Sequence, residues 1–254
     1  TAEGPDHPVA NVEWYDMIKW CNARSEKENL QPLYYRESNQ TTIYRTGQIS
    51  LLNDQANWQA NGWRLPTEAE WEKAARGGLV GKKYPHGDVY SSAYGNVGIS
   101  GIGKTVPVGG YSANGYGLHD SFGNVREWVW DGHQLDWYLQ PEASLPNPRG
   151  GANSARVVRA AGYNSSHYSS QLYPRASGGA NNATGFRLAR NAPDAVAGGY
   201  PTLTSSPDAN GTAGQNFSYQ ILAGNSPVAY GATGLPAGLS VNTSTGLISG
   251  TPTA

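Results

Sequence analysis

A short run of oxygen-bearing residues, Gly123 to Glu127, offers the clearest metal chemistry in this chain. Asn124 supplies an amide oxygen, Glu127 supplies a carboxylate, and the tight turn between them leaves backbone carbonyls free. Hard oxygen ligands of this kind are the ones that Ca²⁺ prefers. The run therefore predicts a calcium site. The competing interpretation is a plain turn in which Asn124 bonds its own backbone and Glu127 pairs with an arginine.

A second candidate site is the stretch from residue 163 to residue 184, which is rich in aromatic and amide side chains. Planar rings, amides and small residues make adaptable ligand contacts at a low cost in side-chain entropy. The same composition is typical of a solvated loop, so both interpretations stay open. The candidate ligand-binding residues are Tyr163, Asn164, His167, Tyr168, Tyr173, Arg175, Asn181 and Asn182.

Other reactive groups are sparse, and none predicts a catalytic residue. Cys21 is the single cysteine, so an intrachain disulfide is excluded, and its helical spacing from apolar neighbours predicts a buried structural thiol. Ser165 and Ser166 precede His167, but the sequence lacks the strained Gly-x-Ser-x-Gly turn of a serine hydrolase. The five histidines form no close pair at helical spacing.

Composition argues against nucleic-acid and membrane partners. The formal net charge is −1 and 15% of the residues are charged, which gives no electrostatic basis for binding nucleic acid or an anionic membrane. No run approaches the roughly 18 apolar residues that a membrane-spanning helix needs. Thr1 to His7 is polar and lacks the plan of a signal peptide, so we expect any export signal to have been removed or to lie outside the sequence.

Two helices are predicted to position the candidate sites. Asn11 precedes apolar residues at helical spacing, which predicts a helix from about Val12 to Lys27. Thr67 and Glu70 form a capping box, and Gly77 supplies the left-handed residue that ends a second helix. The remainder is predicted to be mostly loop, with strand candidates at 33–35, 42–44, 156–159 and 185–188.

The composition of the chain changes near Asp194. Beyond that residue the only charged side chain is Asp208 and tryptophan does not occur, whereas both types are scattered throughout the preceding part. A shift of this kind indicates a domain boundary. We therefore predict one domain over 1–192, a linker over 193–198 and a second domain over 199–254.

The second domain has the pattern of an all-β segment. Phe217 to Ile221 alternates apolar and polar residues, and a polar turn separates strand candidates at 234–241 and 247–253. The run GLPAGLSVNTSTGLISGTPT, residues 234–253, resembles the immunoglobulin-like repeats of bacterial surface proteins. A sandwich of that class takes about 100 residues, so we expect this segment to be incomplete.

Several motifs occur in order through the first domain. They are PVANVEWYD, GWRLPTEAEWEKAARGG, KYPHGD, NGYGLHD, GNVREWVWD and GFRLAR. Together they resemble the formylglycine-generating enzyme family, also called the sulfatase-modifying-factor domain. The resemblance implies an α+β fold, that family's variant of the C-type lectin fold, with few helices, little sheet and structural calcium.

The resemblance also implies where calcium binds. It points to the side chains of Asn124 and Glu127 and to the carbonyl of Val125. A second site of the family would begin at Asn96 and Val97. The acidic residue that should complete that second site is not evident between residues 98 and 110.

The oxidases of this family bind copper through two cysteines that lie five residues apart. The resemblance places Ser165 and Ser170 at those positions. Copper(I) requires soft thiolates, whereas a serine hydroxyl is hard and stays protonated at neutral pH. We therefore expect no copper chemistry, and a metal-dependent oxidase is the minority alternative. An iron enzyme of the sulfoxide-synthase type would need a separate histidine-rich helical domain.

These features predict a non-catalytic binding or adhesion protein, secreted or at the cell surface, with a lectin-like fold stabilised by calcium. Its expected ligand is a carbohydrate, a peptide or a protein at the cell surface. The alternative is a structural subunit of an extracellular filament or surface layer that self-associates through the C-terminal β segment, since incomplete sandwiches accept strands from neighbours.

Overall fold

The computed structural model describes residues 3–151, 155–166, 171–172, 174–179, 181, 183–191, 203–206, 208–224, 227 and 229–253. The chain forms two compact units, Thr1–Arg190 and Asn191–Ala254. In the described part, the first unit combines two α-helices with a four-stranded sheet and the second contains an antiparallel three-stranded sheet. This confirms the predicted α+β class with a C-terminal β segment. The predicted linker, 193–198, lies outside the described residues.

Helix α1 spans Trp14–Lys27 and packs its apolar stripe into the main core. The sequence predicts a start at Val12, but the helix begins two residues later. The reason is that Asn11 has a φ of 59°, outside the extended region that an N-cap residue adopts, so Glu13 occupies the N-cap position without a side-chain cap. The Asn11 N–H donates to the carbonyls of Asn181 and Thr184. Cys21 is buried on this stripe as predicted, and burial raises its thiol pKa far above the usual range, which leaves it unreactive.

Helix α2 spans Glu68–Arg76, and the predicted capping box is present. The Glu70 N–H donates to the Thr67 hydroxyl over 3.2 Å, and the Glu70 carboxylate accepts from the Thr67 N–H over 2.8 Å. Gly77 ends the helix in the left-handed conformation, with a φ of 56°. This helix is thus fixed by local sequence at both ends.

The sheet of the first unit has the strand order β3-β2-β1-β4. Strand β1 pairs antiparallel with β2 and parallel with β4, and β2 pairs antiparallel with β3. The candidate at 156–159 is confirmed, and the one at 185–188 overlaps β4, whereas 33–35 and 42–44 form only isolated bridges. The strands are β1 Arg126–Gly132, β2 Arg156–Arg159, β3 Ala176–Ser177 and β4 Thr184–Phe186.

Tryptophan and tyrosine rings fill the space between α1 and the sheet. Trp130 stacks on Tyr34 with ring centroids 5.2 Å apart, and Trp14 packs against the same indole at 5.5 Å. The buried indole N–H groups of Trp14 and Trp128 each donate to a backbone carbonyl. Large aromatic rings whose polar atoms are hydrogen-bonded therefore supply much of the packing between α1 and the sheet.

The second unit contains strands β5, β6 and β7 in the order β5-β7-β6, all antiparallel. Its described part buries three apolar side chains, Ile221, Ile248 and Pro252. The strands are β5 Phe217–Gln220, β6 Leu239–Val241 and β7 Leu247–Gly250. In the described residues of both units, no helix is long and apolar enough to cross a membrane.

Candidate functional site

The turn at Asn124 immediately precedes β1, and its side chain is committed to the backbone of Val106. The amide oxygen accepts from the Val106 N–H and the amide nitrogen donates to the Val106 carbonyl, each over 3.0 Å. The Asn124 N–H donates to the carbonyl of Asn96 over 2.7 Å. Asn124 thus joins two loops to the start of the sheet. Its amide oxygen, the predicted calcium ligand, is hydrogen-bonded to the Val106 N–H.

The Glu127 carboxylate is buried on β1 and accepts three hydrogen bonds. The Trp71 indole donates over 2.6 Å, and the Arg187 guanidinium donates through Nε over 2.5 Å and Nη2 over 2.6 Å. Burial alone would lower the pKa of Arg187, but the negative charge of Glu127, assisted by Asp120, raises it above the usual value. The pairing with arginine matches the alternative interpretation for Glu127.

Asp120 is the residue of this site that the sequence interpretation missed. It lines a cavity of about 350 Å³ together with Glu127, Arg187 and the backbone at Gly123 and Val125. Its Oδ2 accepts from the Gly109 N–H over 2.7 Å, whereas its Oδ1 is buried with no hydrogen-bond partner among the described residues. The available signal was an acidic residue three positions before Gly123.

The donor set around this cavity fits calcium only in part. Two carboxylates, Asp120 and Glu127, and nearby carbonyls are the oxygen donors that Ca²⁺ prefers, and one carboxylate oxygen of Asp120 is unpartnered in the described chain. Arg187, however, already balances the charge of Glu127. The described residues contain no cluster of three or more His, Cys, Asp or Glu side chains. Calcium at this turn stays a prediction.

The second predicted calcium position is engaged in loop packing. The Asn96 amide donates to the Lys104 carbonyl over 2.8 Å and accepts from the Ser100 hydroxyl over 2.9 Å. Val97 is completely buried. The side chain of Asn96 therefore stabilises the loop between residues 96 and 104, and calcium at this position also stays a prediction.

The predicted ligand-binding residues differ in exposure: Asn164 is exposed, Arg175 and Asn181 are half-buried, Tyr163 is buried, and the others are not described. The Tyr163 N–H donates to the Asn124 carbonyl over 2.9 Å. Arg175 donates to the Gln134 carbonyl over 2.6 Å. Asn181 accepts from the Ala183 N–H, closing a turn. His167, Tyr168, Tyr173 and Asn182 lie outside the described residues.

Ser165, at the position where the resemblance implies a copper ligand, closes a buried turn. Its hydroxyl accepts from the Gly162 N–H over 3.0 Å and from the Arg126 guanidinium over 3.3 Å. Its carbonyl accepts from the Gly98 N–H over 2.9 Å. Ser170 lies outside the described residues. The hydroxyl of Ser165 is buried and helps to hold the backbone of this turn.

Comparison with known families assigns the chain. The profile described as "Sulfatase-modifying factor enzyme 1-like domain" matches residues 1–192, and the profile described as "Putative Ig domain" matches residues 200–254. The chain belongs to the sulfatase-modifying factor enzyme 1-like family. Its membership confirms the resemblance of the six motifs, and the second match confirms the immunoglobulin-like resemblance of the C-terminal segment.

Curated relatives of this family member include a chaperone and formylglycine-generating enzymes. The chaperone protein LppX of Paenibacillus barcinonensis is 34% identical over 197 residues, covering 68% of this chain and 65% of LppX. The formylglycine-generating enzyme of Streptomyces coelicolor is 33% identical over 63% of this chain and 43% of the enzyme. The chain thus spans less than two thirds of these relatives.

Solved structures with the same fold include Treponema denticola variable protein 1. It has a TM-score of 0.62 and 31% identity, over 74% of this chain and 72% of that chain. PvdO from Pseudomonas aeruginosa has a TM-score of 0.53 at 22% identity, over 76% of this chain and 65% of PvdO, and it supports the fold alone. The proteins that this chain resembles therefore include named enzymes, a named chaperone and a named variable protein.

Proposed function

We propose that this member of the family is a non-catalytic, ligand-binding module that is secreted or displayed at the cell surface. The observation that carries the proposal is the burial and hydrogen bonding of the Ser165 hydroxyl. A buried, hydrogen-bonded hydroxyl stands where a thiolate would be required, and a hard, protonated oxygen does not hold copper(I). The match of residues 200–254 to an immunoglobulin-like domain supports the surface location.

The expected ligand is a carbohydrate, a peptide or a protein, bound at the exposed side of the 163–184 stretch. Of the candidate residues that the structure describes, Asn164 is the exposed one, and Tyr163 lies buried next to it. The name of LppX, a chaperone protein, agrees with a binding role for this fold, because chaperones act by binding polypeptides.

Calcium is proposed as a structural ion at the cavity beside Asp120 and Glu127. The two carboxylates and the backbone carbonyls near Val125 would supply oxygen ligands, and the ion would compensate the unpartnered Asp120 oxygen. Binding there would hold the 119–125 loop against β1. The ion would compete with Arg187 for Glu127, so affinity at the weaker end of structural sites is expected.

Metal analysis tests both the non-catalytic assignment and the proposed calcium site. The purified chain, dialysed against metal-free buffer and returned to calcium, is expected to hold about one calcium ion per chain and to melt at a higher temperature than with chelator. Asp120→Ala should remove both effects, whereas Asp16→Ala, which changes an exposed carboxylate on α1, should keep them. Stoichiometric copper or iron, with oxygen-dependent activity, would overturn the non-catalytic assignment. The absence of any calcium effect would remove the calcium part.

A second candidate function is assembly through the C-terminal unit. Among its described apolar side chains, that unit buries Ile221, Ile248 and Pro252 and leaves Leu203 and Leu222 exposed. A small sheet with so little buried apolar surface gains stability when a further strand or sheet packs on it. Self-association of the full chain in analytical ultracentrifugation, lost in a chain that ends at Arg190, would favour this function. A full chain that stays monomeric at high concentration would exclude it.

A further inference from the structure

A cleft distinct from the Asp120 cavity runs along the solvent-facing side of α2. Its volume is about 410 Å³. One wall is the outer face of α2 with the following loop, and the opposite wall is the segment from residue 138 to residue 148. Its lining includes Glu72, Lys73, Leu79, Val80, Tyr116 and Tyr138.

Asn114 builds the rim that carries Tyr116. Its amide nitrogen donates to the carbonyls of Ala74 and Ala75 over 2.8 and 3.0 Å, and its amide oxygen accepts from the Tyr116 N–H over 2.9 Å. The backbones of Gly77 and Gly115 touch, since a Cβ on Gly115 would lie 2.2 Å from the Gly77 carbonyl oxygen. The end of α2 and the tyrosine rim are therefore one preformed unit.

Tyr138 forms the opposite rim. It belongs to a short 3₁₀ helix, Trp137–Leu139, which is anchored because Trp137 is buried. The Arg175 guanidinium lies 5.2 Å from the centroid of the Tyr138 ring. Burial, with a contribution from Glu68, raises the pKa of Tyr138 to about 12, so its hydroxyl stays protonated and can donate a hydrogen bond at neutral pH.

The charges in the cleft leave one cation uncompensated. The Glu72 carboxylate accepts from Arg76 over 2.6 Å and from Arg159 over 2.9 Å, so its charge is satisfied. Arg76 also donates to the Lys82 carbonyl. Lys73 is exposed at the centre of the same face, and no side chain in the described residues pairs with its ammonium group. The cleft thus presents hydrogen-bond donors around a positive charge.

Exposed apolar side chains line this cleft and extend beyond it. Val80 is 90% exposed and Leu139 is 85% exposed, and Leu145 is also exposed. Exposed apolar side chains concentrated around a cleft that also carries a charged group are typical of a protein-binding surface, whereas a small-molecule site buries most of its ligand. The occupant is therefore longer than the cleft.

We propose that this cleft binds an extended segment of a partner protein in which a carboxylate side chain lies next to an apolar or aromatic one. The carboxylate pairs with Lys73 and accepts from the hydroxyls of Tyr116 and Tyr138. The neighbouring apolar side chain packs against Leu79 and Val80. This site is separate from the proposed calcium cavity, so it does not depend on calcium.

Isothermal titration of the full chain with two peptides, GSEFLG and GSKFLG, both acetylated and amidated, tests the proposal. The acidic peptide is expected to bind and the basic one to bind more weakly. Lys73→Gln should weaken the acidic peptide about threefold to fivefold, as the loss of one partly exposed ion pair predicts. Lys27→Gln, which changes another exposed lysine, should leave binding unchanged.

Three outcomes would overturn the proposal. One is no binding of the acidic peptide up to ~5 mM, a limit weaker than ordinary peptide recognition. Another is equal binding of the two peptides, or no effect of Lys73→Gln. The third is binding of 3-phenylpropionate, a free carboxylate with an aromatic body, as tightly as the acidic peptide, which would assign the cleft to a small molecule.

Discussion

Arg159 and Glu68 form an ion pair in which each side chain is only 1% exposed, with Nη1 and Oε1 2.9 Å apart. Arg159 lies on β2 and Glu68 lies in the first turn of α2, so the pair fastens the helix to the sheet. Arg175 adds a second cation, with its Nη2 2.7 Å from the other oxygen of Glu68. The network therefore connects α2 to the segment that precedes β3, within the predicted binding stretch.

Neutralising Glu68 should destabilise the first unit strongly. Glu68→Gln leaves Arg175 without its carboxylate partner and leaves Arg159 with Glu72 alone. Removing one partner of a buried pair costs about 3–5 kcal/mol. Asp88→Asn removes one partner of an exposed pair with Lys82 and should cost less than about 1 kcal/mol. Urea denaturation followed by tryptophan fluorescence measures both. Equal and small losses in the two variants would show that the buried network does not hold α2.

Asp131 makes stability depend on pH. Its carboxylate caps α2 from β1 by accepting from the N–H groups of Glu68 and Gly150. Burial raises its pKa from 3.8 to about 6. The folded state therefore binds this proton more tightly than the unfolded chain does, so the contribution of Asp131 to stability falls as pH rises through this window.

The measurement is the free energy of unfolding of wild type and Asp131→Asn between pH 4 and pH 7. Over this range the wild type should lose up to about 3 kcal/mol relative to the variant, the equivalent of a shift of about two pK units. Subtracting the variant cancels the other carboxylates, and Asp16→Asn controls for the loss of an exposed one. A stability difference that stays constant over this pH range would contradict the role of Asp131.

Asn114 should stabilise the C-terminal end of α2. Its side chain makes four hydrogen bonds to backbone groups, two to the last-turn carbonyls of the helix and two from the N–H groups of Tyr116 and Leu118. Asn114→Ala leaves these groups without that partner and should cost about 2–4 kcal/mol. Asn39→Ala removes an exposed side chain with one local bond and should be nearly neutral. Thermal melting compares them, and similar melting temperatures would refute the prediction.

Local sequence signals predicted the elements that are stabilised locally. The capping box of Thr67 and the left-handed Gly77 are set by residues within one helix, and both are confirmed. The hydrogen bonds between Asn124 and Val106 could not be predicted from sequence, because the two residues lie 18 positions apart across a loop without periodicity. Asp120 was missed for the same reason, since only the folded loop brings it to the cavity of Glu127.

Hydrogen exchange should separate the two units of the chain. The amides of β1, from Trp128 to Trp130, lie in a core of buried aromatic rings, whereas β5 belongs to a unit whose described buried apolar side chains are Ile221, Ile248 and Pro252. Regions with few buried apolar contacts open at a lower free energy. In the full chain, the amides of β5 should therefore exchange at least about a hundredfold faster than those of β1, a difference of about 3 kcal/mol. Equal protection of both strands would contradict this prediction and would mean that the second unit is stabilised by contacts beyond its own sheet. Self-association would provide such contacts. Repeating the exchange at a tenfold lower protein concentration would reveal that contribution.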